Sequence, residues 1–385
     1  MVARGAGDAA TQHFVSRGLR LRAGTLAACS PPLPRAQPSP RTPMTLLERP
    51  FPEPPAHGTR LQVAPGVHWL RMPLPMKLDH INLWTLEDGA GMAIVDTGMR
   101  TDETVAAWQA VLANAPPPSR IFVTHMHPDH VGMAGWLTRR HGVALWMSRL
   151  EYLNCRTLTS DSGRDAPEDG IAFYRLAGWS EAALESYRVR FGRFGKLIHP
   201  MPDSFRRLHD GQVLRIGVHD WQVVIGSGHS PEHACLHCPA LGLLISGDQV
   251  LPRISSNVSV YPLEPEADPM GDWLDSIQRL RERVPDSVLV LPAHQEPFRG
   301  LHARLDALAA AQQRVFARLR ERMARGPVRT VETFEAIFNR PIGEQDSHQL
   351  GMATGEAVAC LNHLRMRGEV IREPGTDGAW RYRLA

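Results

Sequence analysis

The chain has 385 residues, enough for one large domain plus a smaller one with ample core. At 43% hydrophobic and 22% charged residues it has the composition of an ordinary globular protein, and a formal net charge of +3 does not by itself imply a nucleic-acid partner. No apolar run approaches the ~20 residues that span a bilayer, so a membrane-embedded protein is excluded and no membrane partner is expected.

Residues 1–43 differ from all that follows. They are rich in Arg, Ala, Pro and Ser, with Asp8 the only acidic residue. A stretch such as Pro31–Pro40 cannot build a core. Arg-rich, acid-poor leaders occur as organelle transit peptides. Here the segment is read instead as a disordered extension upstream of a start at Met44. Lysine occurs only at Lys77 and Lys196, so the positive charge is nearly all arginine, which is read as coding bias. Cys29, Cys155, Cys235, Cys238 and Cys360 are an odd, scattered set that fits a reducing cytoplasm better than a disulfide framework. Cys235-Leu236-His237-Cys238 lacks the second ligand pair of a structural zinc site and is read as part of a strand.

From Gly66 the pattern is of strands: Val67–Arg71, Ile81–Leu86, a turn at Glu87-Asp88-Gly89, then Met92–Val95 ending in Asp96-Thr97-Gly98. An amphipathic helix runs through Val105, Trp108 and Val111, and Pro116-Pro117-Pro118 breaks it. The apolar, β-prone Ile121-Phe122-Val123 then leads into Thr124-His125-Met126-His127-Pro128-Asp129-His130. Pro128 forbids continuation as a strand, and the next residues have the look of a helix start. Three imidazoles and a carboxylate at a strand end are the donors that Zn²⁺ and similar ions prefer. A strand is expected at Val143–Trp146, and Leu150–Leu208 reads as mostly helical. Tyr174, Trp179 and Tyr187 in that stretch would line a lid or simply form packed helix faces.

Strands return at Gln212–Ile216 and Trp221–Ile225, before Gly228-His229-Ser230-Pro231-Glu232-His233. Leu241–Ser246 ends in Gly247-Asp248. A helix over Asp272–Arg283 follows, and Val288–Leu291 ends in Pro292-Ala293-His294. Three further strands thus each end in a potential ligand, in an alternating layered α/β pattern. The tail has helical stretches at Gly300–Arg325, Thr330–Phe338 and Gly351–Gly368, then a hairpin of Glu369–Glu373 with Trp380–Leu384. Helices followed by a β-ribbon resemble a winged helix, a unit that can lay one helix in a DNA groove.

Taken together, Thr-His-Met-His-Pro-Asp-His, Gly-His-Ser-Pro-Glu-His, Ser-Gly-Asp-Gln and Pro-Ala-His resemble the metallo-β-lactamase-fold hydrolases over residues 58–301. The tail resembles the winged-helix appendage of the branch that includes lactamase-like endoribonucleases. The resemblance implies an α/β fold of four layers, αββα, over residues 44–301, with residues 302–385 forming a long helix and a small winged-helix-like domain. It implies that His125, His127 and His229 hold one metal, that Asp129, His130 and His294 hold a second, and that Asp248 bridges them. Asp96 matches an early acidic position that supports the ligand loop. Two divalent ions are therefore expected, zinc first, with Mn²⁺ and Fe²⁺ accepted by the same donors. Asp129 and His233 are the candidate catalytic residues. Asp129 would orient the nucleophile or carry its proton, and His233 would bind an oxyanion or donate a proton; the alternatives are a pure ligand and a supporting hydrogen bond. Asp79 and His80 precede a strand near the implied pocket mouth and either serve the pocket or cap the strand.

The expected activity is metal-dependent hydrolysis of a small-molecule ester, thioester or lactone. The alternatives are a nuclease on single-stranded RNA or DNA, and a DNA-binding or docking module with secondary catalysis. Arg365 and Arg367 suit a nucleic-acid surface, whereas Glu356, Glu369 and Glu373 dilute its field. A single-iron oxygenase is disfavoured by the full second ligand set.

Overall fold

The computed structural model describes residues 47–385, so the expectation for residues 1–43 lies outside the described residues. A seven-stranded sheet runs in chain order: β1 (Leu61–Ala64), β2 (Val67–Pro73), β3 (His80–Asp88), β4 (Gly91–Val95), β5 (Pro118–Phe122), β6 (Leu145–Ser148) and β7 (Arg206–Leu208). Pairing is antiparallel from β1 to β4 and parallel from β4 to β7. A second sheet contains β8 (Val213–Ile216), β9 (His219–Gly226), β10 (His233–Cys238), β11 (Leu243–Gly247) and β12 (Leu289–Pro292). Its spatial order is β12-β11-β10-β9-β8, with only β11 and β12 parallel. The predicted terminal hairpin is β13 (Val370–Pro374) with β14 (Trp380–Leu384).

The helices are α1 (Asp102–Ala113), α2 (Pro128–Val131), α3 (Ala134–His141), α4 (Arg149–Ser160), α5 (Glu168–Ala177), α6 (Glu181–Arg190), α7 (Pro269–Arg283), α8 (Leu301–Met323), α9 (Phe334–Phe338) and α10 (Ser347–Met366). Their starts follow local chemistry. The Thr101 hydroxyl accepts the Thr104 N–H at the head of α1, and Asp268 accepts the Gly271 N–H ahead of Pro269 in α7. Asp346 caps α10 by accepting the N–H groups of His348 and Gln349, so that helix begins four residues before the predicted Gly351.

Alternating strand faces divide the apolar residues among three cores. Trp69, Trp84, Phe122, Trp221, Leu236 and Ile245 pack between the two sheets. Each such fully buried large side chain contributes about 2 to 3 kcal/mol relative to exposure. On the far face of the first sheet, Ile94 and Ile121 meet Trp108 of α1 and Leu137 of α3. On the far face of the second, Val224, Cys235 and Leu244 share a core with Ile277 of α7, Leu305 of α8 and Leu361 of α10. The tail is thus packed on the second sheet through a common apolar interior.

Two strands escape the sequence pattern and a third, β10, is only partly legible in it. β1 and β7 are short edge strands with little alternation, and β7 exposes Arg206 and Arg207. β10 reads His-Ala-Cys-Leu-His-Cys and is buried at every position, so it shows no period of two. Cys235 and Cys238 lie in this strand, as expected, and Cys155, Cys235, Cys238 and Cys360 are free. The aromatic stretch after Leu150 packs inward: Tyr174 and Trp179 join the core, and the Trp179 indole donates to Thr354 of α10 at 2.8 Å. Among the described residues no helix is long and apolar enough to cross a membrane.

Candidate metal centre

The topology brings the ligand-bearing chain segments to one edge of the sandwich. Parallel β4 and β5 end in Asp96 and the His125–His130 loop, and parallel β11 and β12 end in Asp248 and His294. β9 runs into the loop that carries His229. The antiparallel partners β3 and β10 begin at the same edge, with His80 and His233. The two sheets are joined there by the Asn82 N–H to the Ala293 carbonyl (2.6 Å) and the Ala234 N–H to the Thr124 carbonyl (2.9 Å).

All seven predicted ligands meet. His125, His127, His229 and Asp248 form one group, Asp129, His130 and His294 a second, and within each group one donor atom per residue lies within 4.8 Å of the others. His125 Nε2 is 2.9 Å from His127 Nδ1 and 3.3 Å from His229 Nε2. Asp248 stands between the groups: Oδ2 is 3.4 Å from His229 Nε2 and 3.6 Å from His130 Nε2, and Oδ1 is 3.4 Å from His294 Nε2. Asp129 Oδ2 lies 3.4 Å from His294 Nε2.

Three rings are oriented from behind. His130 Nδ1 donates to Asp96 Oδ2 (2.8 Å), His229 Nδ1 to the Asn257 carbonyl (2.7 Å) and His294 Nδ1 to the His80 carbonyl (2.9 Å). Carboxylates and carbonyls only accept, so Nδ1 carries a proton and Nε2 faces the cluster. Among the described residues the buried atoms His130 Nε2 and Asp248 Oδ1 have no hydrogen-bond partner, a cost that a bound cation removes. These donors fit two divalent ions.

The electrostatics agree. Burial, reinforced by neighbouring imidazoles, holds His125 and His127 well below the usual histidine range, so both are neutral donors. At His130 and His294 burial acts in the same direction but the carboxylates win. Asp96, Asp129 and Asp248 raise His130, while Asp248 and Asp129 push His294 up to about 10. The second group therefore attracts positive charge strongly.

Backbone strain is concentrated beside the ligands. Asp96 (φ 61°) and Gln295 (φ 70°) are two of the three non-glycine residues with positive φ among the described residues. Gly247, at φ 51°, precedes Asp248, and a Cβ there would lie 2.5 Å from the His233 ring. His233 itself is fully buried, and its Nε2 accepts the Asp248 N–H at 3.0 Å. Asp129 is more exposed, with 18% of its side-chain surface accessible. His80 heads β3; its Nδ1 donates to Asp79 at 2.6 Å, and its Nε2 accepts the Gln295 N–H at 2.9 Å.

Other site residues have little sequence signal. Glu151, fully buried on α4, accepts the Met126 N–H (2.9 Å) and the Glu232 N–H (2.8 Å), joining two ligand loops; burial raises its carboxyl above the usual range. It looks like any acidic residue in a first helical turn. Asn82 donates to the carbonyls of Pro292 (3.0 Å) and Gln295 (2.6 Å), bracing the His294 loop. A polar residue inside the apolar run Ile81–Leu86 was the available clue.

Comparison with known proteins places these features in context. The model of the metallo-beta-lactamase superfamily matches residues 76–294, and that of the metallo-beta-lactamase-like C-terminal domain matches residues 316–385. The crystal structure of a beta-lactamase domain protein from Burkholderia ambifaria is 40% identical, with a TM-score of 0.81, covering 89% of this chain and 99% of that one. A metallo-beta-lactamase family protein from Thermus thermophilus is 25% identical, with a TM-score of 0.66, covering 84% of this chain and all of that one. An acyl-coenzyme A thioesterase of Gallus gallus is 25% identical over 242 residues, 60% of this chain and 79% of that protein.

Proposed function

We propose that this chain, which belongs to the metallo-β-lactamase superfamily and is a hydrolase with a His/Asp metal-site cluster, hydrolyses an acyl thioester. The convergence of seven donors on Asp248 and its neighbours carries the hydrolase assignment. The five imidazoles and two carboxylates suit zinc. One ion would be held by His125, His127 and His229, the other by Asp129, His130 and His294, with Asp248 shared. Bound there, the ions would lower the pKa of a water towards ~7 and polarise the substrate carbonyl.

The chain's own residues narrow the substrate. Burial and the neighbouring Asp248 charge push the Asp129 carboxyl up, but His130 and His294 outweigh them and hold it below its usual range, so it is ionised and can orient the attacking water or take its proton. His233 is committed to the Asp248 amide, and we assign it to holding that loop rather than to donating a proton. A site whose one assigned proton carrier is Asp129 suits a leaving group that can depart unprotonated. A thiolate, with a parent pKa near ~8.5, does so far more readily than an alkoxide. Leu150 and Leu153 on α4 and Ile254 beyond Asp248 expose apolar surface on segments adjoining the ligand loops, which suits an acyl chain. The resemblance to an acyl-coenzyme A thioesterase points the same way.

We read α9, α10 and the β13–β14 ribbon as a winged helix that serves packing. Arg365 is paired with Glu266 (2.6 Å) and Arg367 with Glu369 (2.7 Å), which neutralises the charge a nucleic-acid surface needs. The test is a panel of acyl thioesters, oxygen esters, lactones and single-stranded RNA and DNA with zinc-loaded protein. Thioesters are expected to lead in kcat/KM by at least about tenfold. Faster turnover of a phosphodiester would sink the thioester reading in favour of a nuclease.

A further inference from the structure

We infer that the C-terminal helix α10 is a working part of the metal centre, because Glu356, acting through Asn257, fixes the ring of His229. The inference rests on the metal-site reading above. His229 is oriented by the Asn257 carbonyl, at 2.7 Å from its Nδ1. Asn257 lies in the segment between Asp248 and α7, outside regular structure. Three bonds hold that segment. The Asn257 side-chain amide donates to Glu356 at 2.8 Å, the Ser259 hydroxyl donates to the Asn257 side-chain oxygen at 2.6 Å, and the Val260 N–H donates to the Gly355 carbonyl at 3.0 Å. At its other end Ser256 bonds to the Asp248 carbonyl. One loop thus runs from the shared carboxylate, past the support of the third histidine, to α10.

The approach to α10 is close. A Cβ on Gly355 would lie 2.7 Å from the Ser259 side chain and 3.0 Å from the Val260 carbonyl, so only glycine lets the loop seat there. Among the described residues Glu356 has no cationic partner; its hydrogen bond is to Asn257. Burial pushes its carboxyl up to about 7, against the Asn257 hydrogen bond that lowers it, so its role follows from the amide it holds. Glu356 is therefore a positioning residue: it touches neither substrate nor the ligand set, and sets where the His229 lone pair points. Removing the tail would consequently disturb the metal site, so truncation is not a neutral test of whether the tail binds nucleic acid.

The test uses the full chain, stripped of metal and titrated with zinc against a chelating dye, and with Co²⁺ while its absorption spectrum is followed. Glu356→Ala is expected to weaken one of two metal sites about 10- to 100-fold and to alter the Co²⁺ bands. Glu356→Gln keeps an acceptor oxygen for Asn257 and should bind like the parent. Asn257→Ala, which retains the backbone carbonyl but loses both anchors, should weaken the same site and replaces Glu356→Ala if that variant does not fold. Parent-like binding by Glu356→Ala and Asn257→Ala overturns the inference, as does equal weakening by the Ala and Gln variants of Glu356. A parent protein that binds no metal overturns the metal-site reading itself and is told apart by that result.

Discussion

Asp248→Asn is expected to lose about 10³-fold or more in turnover while the protein folds normally. The change is nearly isosteric and leaves untouched the Asp248 N–H that His233 accepts at 3.0 Å. What disappears is the charge that faces both groups, at 3.4 Å from His229, 3.6 Å from His130 and 3.4 Å from His294. With two ions bound, its loss would remove their shared counter-charge and the group that would align a water between them. The readouts are kcat on the best substrate and metal content per chain. Turnover within tenfold of the parent would remove Asp248 as the bridge.

Asp96→Asn is expected to weaken the metal held by Asp129, His130 and His294 by about 10- to 100-fold. Asp96 is buried and takes three donors: the Thr124 N–H at 2.8 Å, the Thr124 hydroxyl at 2.9 Å and His130 Nδ1 at 2.8 Å. An asparagine has one acceptor oxygen, so either the amide of the ligand loop or the imidazole meets an N–H₂ group instead. It also removes the charge that makes His130 a stronger donor. Backbone strain is not the cause, because asparagine tolerates the φ of 61° as well as aspartate does. Zinc titration of the stripped variant reads the effect, with the His125, His127 and His229 group as an internal control. Equal weakening of both groups would mean that Asp96 holds the fold rather than His130.

The ligands were legible because each is a short-range event, a strand ending in a loop with its chemistry attached. His125 to His130 lie within six residues, and Asp248 and His294 directly follow buried apolar runs. β-prone runs bounded by turn residues likewise exposed β2, β3, β4, β9 and the final hairpin. What stayed hidden is made by contacts distant in sequence. Glu151 reaches Glu232 across 81 positions, and Glu356 reaches Asn257 across 99. Neither residue sits in a motif, and a carboxylate on a helix is ordinary until its partners are known. The role of His233 was open for the same reason: its neighbour in the chain says nothing of the Asp248 amide that occupies its Nε2. β10 was legible only in its second half, Cys235–Cys238, because it is buried on both faces and the period that marks a half-exposed strand is absent.

The central claim is a water activated between two metal ions, and metal stoichiometry tests it most directly. Metal-stripped protein titrated with zinc, with bound metal and thioester hydrolysis followed together, should bind two equivalents per chain and reach full turnover only with the second. Saturation at one equivalent with full activity, or hydrolysis that persists in the stripped protein, would contradict the account.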